Sequence, residues 1–203
     1  MKPAFGPILL EASIALLKKA GIHPNKARWI EIGPEPDAAL LDGIANPFLE
    51  TQSIRVGDAL DLEGPLVLFS NELFDAQPFH SVIFKNGSWR ERGIEINSQG
   101  IRFSESELTS PAVAVAVDTL PKVAPEGYTV DLPIQATDLL NEICREPWHG
   151  AFIAFDYGKT WKALSYDANQ GTARAYRNHQ QTPNLLDAIG EQDLTVHICW
   201  DWL

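Results

Sequence analysis

The feature that most constrains the fold is a short apolar run, Pro65–Ser70, followed directly by a polar segment, Asn71–His80. A run of this length, rich in Leu, Val and Phe, is typical of a strand buried within a sheet. In open α/β sheets, ligands bind in the crevice beyond the carboxyl ends of such strands. The junction near Asn71 therefore indicates an α/β fold and a candidate ligand site at a strand end.

The polar segment allows two interpretations. If Ser70 or Asn71 is the N-cap of a helix, Glu72 and Asp75 lie three residues apart on one helical face, where two carboxylates repel by a few tenths of a kcal/mol. A cationic or hydroxyl-bearing ligand would relieve that repulsion, and so would the positive end of the helix. Residue chemistry alone leaves a ligand site and a simple helix cap equally open.

The rest of the chain alternates predicted helices with short predicted strands. Apolar periodicity predicts helices at Pro7–Ala20, Asp37–Ile44 and Thr137–Arg145. Strands are predicted at Arg28–Gly33, Ser53–Val56, Gly150–Phe155 and Leu194–Ile198, and the structure of Ala112–Val117 is left open. The strand at residues 150–155 also ends in polar residues, Asp156-Tyr157-Gly158. One domain spanning residues 1–203 is expected.

A small antiparallel insertion is predicted at residues 81–103. Two runs, Ser81–Lys85 and Ser88–Arg92, flank Asn86-Gly87, the dipeptide that favours a type I′ turn. A second turn at Asn97–Gly100 leads to a third run. Such an insertion usually covers or decorates a site rather than forming the central sheet.

Composition excludes several classes of function. The 203 residues carry 16 Lys and Arg against 27 Asp and Glu, a formal net charge of −11. Nonspecific binding to nucleic acid or anionic membranes requires clustered cations, which this chain lacks. No signal-peptide pattern and no apolar stretch of about 20 residues is present, so a cytoplasmic protein is expected. Cys144 and Cys199 are expected to be buried, reduced thiols, and one disulfide between them is the alternative.

Several common catalytic motifs are missing from the sequence. Its five histidines, at positions 23, 80, 149, 179 and 197, show no metal-type spacing, so no metal site is predicted. Neither a Gly-x-Ser-x-Gly elbow nor a P-loop occurs. His179 and His197 are expected to be hydrogen-bonded structural residues. Glu31 to Leu40 has the layout of a nucleotide-binding strand, loop and helix, but the segment by itself is more typical of a plain turn before a helix.

Taken together, six segments resemble one family. They are, in chain order, Glu31–Pro34, Ser70–Pro78, Pro125–Tyr128, Phe155–Gly158, Gly171–Tyr176 with His179, and Asp193–His197. This set resembles the MidA-type S-adenosylmethionine-dependent methyltransferases, relatives of the mitochondrial arginine methyltransferase that assists assembly of respiratory complex I. The resemblance spans about Phe5 to Leu203.

The resemblance implies a Rossmann-like methyltransferase sheet with helices on both faces, S-adenosylmethionine as cofactor and methyl transfer to a protein side chain, with arginine as one candidate acceptor. Glu31 and Gly33 match the cofactor-binding strand and turn, and Asp58 or Glu50 takes the place of the acid that binds the ribose. Asp156, Tyr157 and Gly158 match a second strand end at the pocket. Asn71, Glu72 and Asp75 match the acidic motif that positions the acceptor.

One departure from the family pattern keeps an alternative open. The family has a glycine-rich first turn, whereas this chain has Gly33-Pro34-Glu35-Pro36-Asp37-Ala38. Side chains and a proline without an N–H then occupy positions where backbone would approach the cofactor. The alternative function is a methyltransferase-derived module without cofactor that binds a partner protein through its acidic cleft. The oligomeric state is not predicted.

Overall fold

The computed structural model describes residues 2–33 and 40–203. Its helices are α1 (Lys2–Lys19), a 3-10 turn (Pro24–Lys26), α2 (Pro111–Asp118), α3 (Ile134–Arg145) and α4 (Trp161–Asp167). Its strands are β1 (Arg28–Gly33), β2 (Glu50–Arg55), β3 (Gly64–Asn71), β4 (His80–Lys85), β5 (Ser88–Asn97), β6 (Gly100–Ser106), β7 (Thr129–Leu132), β8 (Trp148–Phe155), β9 (Gly158–Lys159), β10 (Arg174–Arg177), β11 (Gln180–Thr182), β12 (Asp193–Thr195) and β13 (Ile198–Cys199).

The chain forms two compact units. The first comprises Met1–Leu73 with Leu140–Asp156, and the second comprises Phe74–Leu139 with Tyr157–Leu203. A single domain over residues 1–203 stays a prediction. A parallel sheet flanked by helices, together with antiparallel sheets, confirms the predicted α/β methyltransferase-like fold class.

The first unit is built on a four-stranded parallel sheet in the order β2-β1-β3-β8. Residues 66–70 of β3 are all buried, as expected for a central strand with neighbours on both sides. Gly150 of β8 has φ +142°, and a Cβ there would collide with the carbonyl oxygen of Leu66. Only glycine therefore allows β8 to approach β3 this closely.

Trp29 of β1 lies at the centre of the core of the first unit. Its ring stacks on Phe69 at 5.9 Å and contacts Phe48 at 5.5 Å. Helix α1 contributes Leu9 and Leu17, which lie eight residues apart on one helical stripe. The helix begins five residues before the predicted start, so Pro7 lies inside it, and it ends where Gly21 adopts φ +74° and Ile22 N–H donates to the Leu17 carbonyl.

The second unit contains the predicted antiparallel insertion, extended by one strand into a sheet of order β6-β5-β4-β7. Asn86 and Gly87 have φ +51° and +79°, which confirms the type I′ turn. One face of this sheet forms a core with α2, whose N-cap Ser110 accepts a hydrogen bond from Val113 N–H. The segment left open at Ala112–Val117 is therefore helical.

Two expected elements differ in the structure. The strand predicted at Leu194–Ile198 is divided into β12 and β13, because Val196 N–H donates to the Asp75 carbonyl instead of continuing a ladder. Of the helix predicted at Asp37–Ile44, residues 37–39 lie outside the described residues, and residues 40–43 form a turn. Within the described part of the chain, no helix has the length and apolar character needed to cross a membrane.

Candidate functional site

The carboxyl ends of the four parallel strands lie at one edge of the sheet in the first unit. Gly33 ends β1 beside Arg55 of β2, and Asn71 ends β3 beside Phe155 of β8. Because parallel strands all point the same way, the residues that follow them meet at this edge. We call this set, Gly33, Asp58, Asn71, Glu72 and Asp156, the strand-end site.

Glu72 has an unusual backbone conformation at the strand-end site. Its φ is +50°, in the left-handed region that costs a non-glycine residue about 1–2 kcal/mol. The conformation is held by a hydrogen bond of 2.7 Å from Glu72 N–H to the Phe155 carbonyl. The turn leaves the side chains of Asn71 and Glu72 exposed to solvent. Strained residues of this kind cluster at functional sites.

No helix begins at Ser70 or Asn71, so the helix-cap interpretation is wrong. Strand β3 continues through Asn71, Glu72 reverses the chain with its positive φ, and a turn follows in which Gln77 N–H donates to the Phe74 carbonyl. Glu72 and Asp75 consequently do not share a helical face. Asp75 belongs to the second unit and is 1% exposed, in contrast to the exposed Asn71 and Glu72.

Glu31 makes its contacts within the protein. Its carboxylate accepts hydrogen bonds from Leu40 N–H at 2.7 and 2.9 Å and from Trp29 Nε1 at 2.9 Å. These bonds hold Leu40 against β1. Glu31, one of the residues predicted to bind the cofactor, is thus engaged by described residues of its own chain. Residues 34–39, which include Glu35, Pro36 and Asp37, lie outside the described residues.

Gly33 and Asp58 lie at the ends of neighbouring strands. The Gly33 carbonyl accepts a hydrogen bond from Val56 N–H at 3.1 Å, which brings the turn after β2 beside the end of β1. The exposed Asp58 follows in that turn. No atom of the described residues lies within 4 Å of where a Gly33 Cβ would be.

The segment Asp156-Tyr157-Gly158 divides between the two units. Asp156 is half-buried and directly follows β8 in the first unit. In the second unit, a Cβ on Gly158 would lie 2.6 Å from the Ile198 carbonyl oxygen and 2.5 Å from Trp200 Nε1. The glycine is required there because β9 pairs closely with β13.

Sequence reasoning missed Asp131 on β7. This carboxylate is buried and accepts hydrogen bonds from the backbone N–H groups of Thr172 and Ala173 and from Thr172 Oγ1. Gly171, with φ +81°, packs against it, since a Cβ there would lie 2.7 Å from Asp131 Oδ2. These contacts explain the glycine in the Gly171–Tyr176 segment. Nothing in the sequence near position 131 indicates a partner about 40 residues away.

A second missed group is the pair His80 and Glu91. His80 Nδ1 lies 2.8 Å from Glu91 Oε1, and the other Glu91 oxygen accepts from Thr109 N–H at 2.8 Å and Thr109 Oγ1 at 2.6 Å. Burial acts to raise the pKa of Glu91, but the hydrogen bonds from Thr109 and His80 outweigh it and lower that pKa below its usual value. The pair joins β4 and β5 to the segment before α2.

The remaining polar groups are placed as follows. Burial, together with the charges of Arg174 and Lys159, lowers the pKa of His197. Cys199 is buried, and desolvation raises its pKa to about 11, whereas Cys144 is exposed, contrary to expectation. Among the described residues, no group of three or more His, Cys, Asp or Glu side chains could hold a metal ion.

Comparison with known proteins places the chain in a family. Residues 50–203 match a family model described as "Putative S-adenosyl-L-methionine-dependent methyltransferase". The chain belongs to this family. The match begins at Glu50, after β1, so the family assignment does not depend on the Gly33 turn. None of the curated proteins compared with the chain is a significant match.

Two similar solved structures come from Burkholderia thailandensis. One is a crystal structure of a COG1565 superfamily member bound to S-adenosyl-homocysteine, with a TM-score of 0.80 and 20% identity over 97% of this chain and 58% of that chain. The other is a native COG1565 superfamily protein, with a TM-score of 0.80 and 19% identity over 98% of this chain and 61% of that one. The chain thus spans about three fifths of the length of these proteins. The likeness establishes the fold.

The strand-end site can be compared with the cofactor that the family description names, S-adenosylmethionine. S-adenosylmethionine presents ribose hydroxyls and amino groups, for which the carboxylates of Asp58 and Asp156 are suitable acceptors. Asn71 adds an amide that donates and accepts. Apart from its chain neighbours, the described residues leave room for a ligand to approach the backbone at Gly33. The described residues therefore fit the cofactor.

Proposed function

We propose that the chain is an S-adenosylmethionine-dependent methyltransferase that binds its cofactor at the strand-end site and methylates a protein side chain. The observation that carries the proposal is the strained turn at Glu72, which presents Asn71 and Glu72 to solvent at the carboxyl end of the central strand. Membership of the methyltransferase family supports it, and so does the similar Burkholderia protein that holds S-adenosyl-homocysteine.

Each residue has a defined role in this proposal. S-adenosylmethionine supplies a methyl group already activated on a sulfonium, so the protein acts mainly by positioning. Gly33 and Asp58 hold the cofactor, Asp156 completes its site, and Glu31 holds Leu40 against β1. The carboxylate of Glu72 holds a cationic acceptor or removes its proton. The Asn71 amide forms hydrogen bonds with the cofactor as well as with the acceptor. Asp75 is buried, and its backbone carbonyl accepts a hydrogen bond from Val196 N–H.

Arginine is the acceptor that we propose to test first. A guanidinium is planar and cationic and pairs well with carboxylates, and the exposed Glu72 provides one. The resemblance to MidA-type enzymes points to the same acceptor. Lysine and histidine side chains are the competing acceptors.

Calorimetric titration with S-adenosylmethionine and S-adenosyl-homocysteine tests the cofactor site. We expect micromolar binding that is lost in Gly33→Val, because the new side chain meets no described atom within 4 Å at its Cβ and would occupy the space that the proposal assigns to the ligand. Asp58→Asn should weaken binding about tenfold, or 1.4 kcal/mol. Asp61→Asn, an equally exposed aspartate three residues away, is the matched control and should bind normally.

Two outcomes would overturn the proposal. Absence of binding at millimolar ligand by a folded chain would leave the partner-binding module as the function. Normal binding by Gly33→Val would place the cofactor elsewhere. Given binding, transfer of a labelled methyl group to arginine-containing peptides, compared with the same peptides carrying lysine or histidine, identifies the acceptor, and Glu72→Gln should abolish the transfer while leaving S-adenosyl-homocysteine binding within about twofold.

A further inference from the structure

We propose that the second unit binds a small amphipathic carboxylate in a cavity on the face of the sheet β6-β5-β4-β7 opposite the one that packs against α2. The cavity has a volume of about 450 Å³. Pockets for small ligands measure about 300–1,000 Å³. All of its lining residues belong to the second unit, and none belongs to the strand-end site. This proposal therefore does not depend on the methyltransferase function.

A row of three polar side chains crosses the wall of the cavity. Ser81 on β4 lies opposite Arg92 on β5 and opposite Asp131 on β7. Directly opposed residues in an antiparallel sheet share a face, so all three point to the same side. The other face of the sheet is the one that packs against α2 in the core. We call Ser81, Arg92 and Asp131 the polar row.

Arg92 is the cation of the polar row. Its guanidinium carbon lies 3.7 Å from the centre of the Phe103 ring, a cation–π contact that holds the group over that ring. Glu105, the residue opposite Arg92 on β6, pairs with Lys85 instead, at 2.7 Å. Among the described residues, no carboxylate lies within 4.0 Å of Arg92. A guanidinium held in this way is a preformed partner for an anion.

The other two members of the row limit the ligand to a single acidic group. The Ser81 hydroxyl is buried and has no hydrogen-bond partner among the described residues, so it is available to donate to a ligand. Asp131 already accepts from Thr172 and Ala173. Its negative charge lies across β4 from Arg92 and disfavours a multiply charged anion. One carboxylate, bound by Arg92 and Ser81, fits this arrangement.

The rest of the cavity wall is mainly apolar and incompletely covered. Ile94, Phe103 and Leu194 line it and remain 55%, 37% and 46% exposed. Leu185 and Leu186 contribute further apolar surface. Large apolar side chains grouped around an open cavity mark a binding surface, since burying them from water is favourable. The ligand is therefore expected to carry an apolar body behind its carboxylate.

Calorimetric titration of the full chain with decanoate tests the site. We expect saturable, stoichiometric binding below millimolar concentration, and at least tenfold weaker binding in Arg92→Met, which keeps the apolar stem but removes the charge. Arg90→Met is the matched control, because Arg90 is two residues away on the same strand, pairs with Glu107 and does not line the cavity. It should bind decanoate within twofold of the unchanged chain.

Two further measurements separate a binding site from a structural effect. Ser81→Ala should weaken decanoate binding about threefold while leaving the free energy of unfolding unchanged, because its hydroxyl has no partner to lose. Decylamine, with the opposite charge, should bind at least tenfold more weakly than decanoate. Equal binding of the two ligands, unaltered affinity in Arg92→Met, or no saturable decanoate binding would each overturn the proposal. Failure of the strand-end site to bind S-adenosyl-homocysteine would not affect it.

Discussion

The strand-end site and the polar row both place charged side chains at a candidate binding surface, but they are assembled differently. Asn71 and Glu72 are adjacent in sequence, exposed, and held by one strained turn. Ser81, Arg92 and Asp131 come from three strands and meet only through strand register. The first arrangement leaves its side chains available to a ligand, whereas in the second Asp131 is committed to holding the fold. The same residue types can therefore serve binding in one place and stability in another.

The largest effect is expected for Asp131→Ala. Loss of the carboxylate leaves the backbone N–H groups of Thr172 and Ala173 without their acceptor, and each buried donor left unsatisfied costs about 1–3 kcal/mol. We expect the free energy of unfolding to fall by about 3 kcal/mol in urea denaturation. Asp118→Ala, at an exposed surface pair, should change it by less than about 0.5 kcal/mol. A similar small change for Asp131 would contradict its structural role.

Gly171→Ala should have the next largest effect. The new Cβ would lie 2.7 Å from Asp131 Oδ2, and the alanine backbone would have to keep the φ of +81° that glycine has there. Gly87→Ala is matched in φ, at +79°, but meets no described atom within 4 Å. The control isolates the conformational cost of about 1 kcal/mol, and we expect Gly171→Ala to lose about 2 kcal/mol more of the free energy of unfolding. If both variants lost the same free energy of unfolding, the Asp131 side chain would be shown to move away from the new Cβ at no energetic cost.

Asn71→Ala should show the opposite pattern to Asp131→Ala. Because Asn71 is exposed, its replacement should change the free energy of unfolding by less than about 0.5 kcal/mol. If the proposed function is correct, S-adenosyl-homocysteine affinity should fall about tenfold, or 1.4 kcal/mol. Asn141→Ala, also exposed, serves as the control for both measurements. A loss of stability with unchanged affinity would make Asn71 a structural residue.

Glu72→Gly should stabilise the fold slightly while impairing function. Glycine removes the energetic cost of φ +50°, but it also increases the conformational entropy of the unfolded state. We therefore expect the free energy of unfolding to rise by about 0.5 kcal/mol. Asn86→Gly, at φ +51°, should gain less, because asparagine tolerates the left-handed region. Thermal denaturation of both variants measures the difference. Destabilisation by Glu72→Gly would mean that the Glu72 side chain supports the turn.

His197 provides the smallest effect, a dependence of stability on pH. Its pKa is lower in the folded chain than the ordinary value of 6.5, so the folded state binds this proton less readily than the unfolded state. Above pH 6.5 His197 is neutral in both states and the fold keeps its full stability. As pH falls below 6.5 toward the lower pKa of the folded chain, the unfolded state takes up the proton first and the free energy of unfolding decreases. His197→Gln should flatten this part of the profile of unfolding free energy against pH. An unchanged slope would assign the dependence to other groups.

The local elements were largely predictable from the sequence, and their exceptions have physical causes. Strand β1 was predicted at its observed bounds, and Asn86-Gly87 determined the hairpin turn because few dipeptides adopt two consecutive positive φ values. The helix expected after Ser70 did not form, since the hydrogen bond from Glu72 N–H to the Phe155 carbonyl binds the chain to a strand about 80 residues later. Propensity at Glu72 carries no information about that partner.

The sequence by itself determined the family and the succession of polar strand ends. A contiguous segment such as Ser70–Pro78 can be recognised from its residues alone, without knowledge of what it contacts in the folded chain. Only the tertiary structure decided which of those residues face solvent, leaving Asn71 and Glu72 exposed and burying Asp75. It also created the polar row, whose members are up to 50 residues apart. Strand register is a long-range property, since it depends on how distant strands pair, and residue patterns within one strand do not specify the neighbour that a side chain will meet.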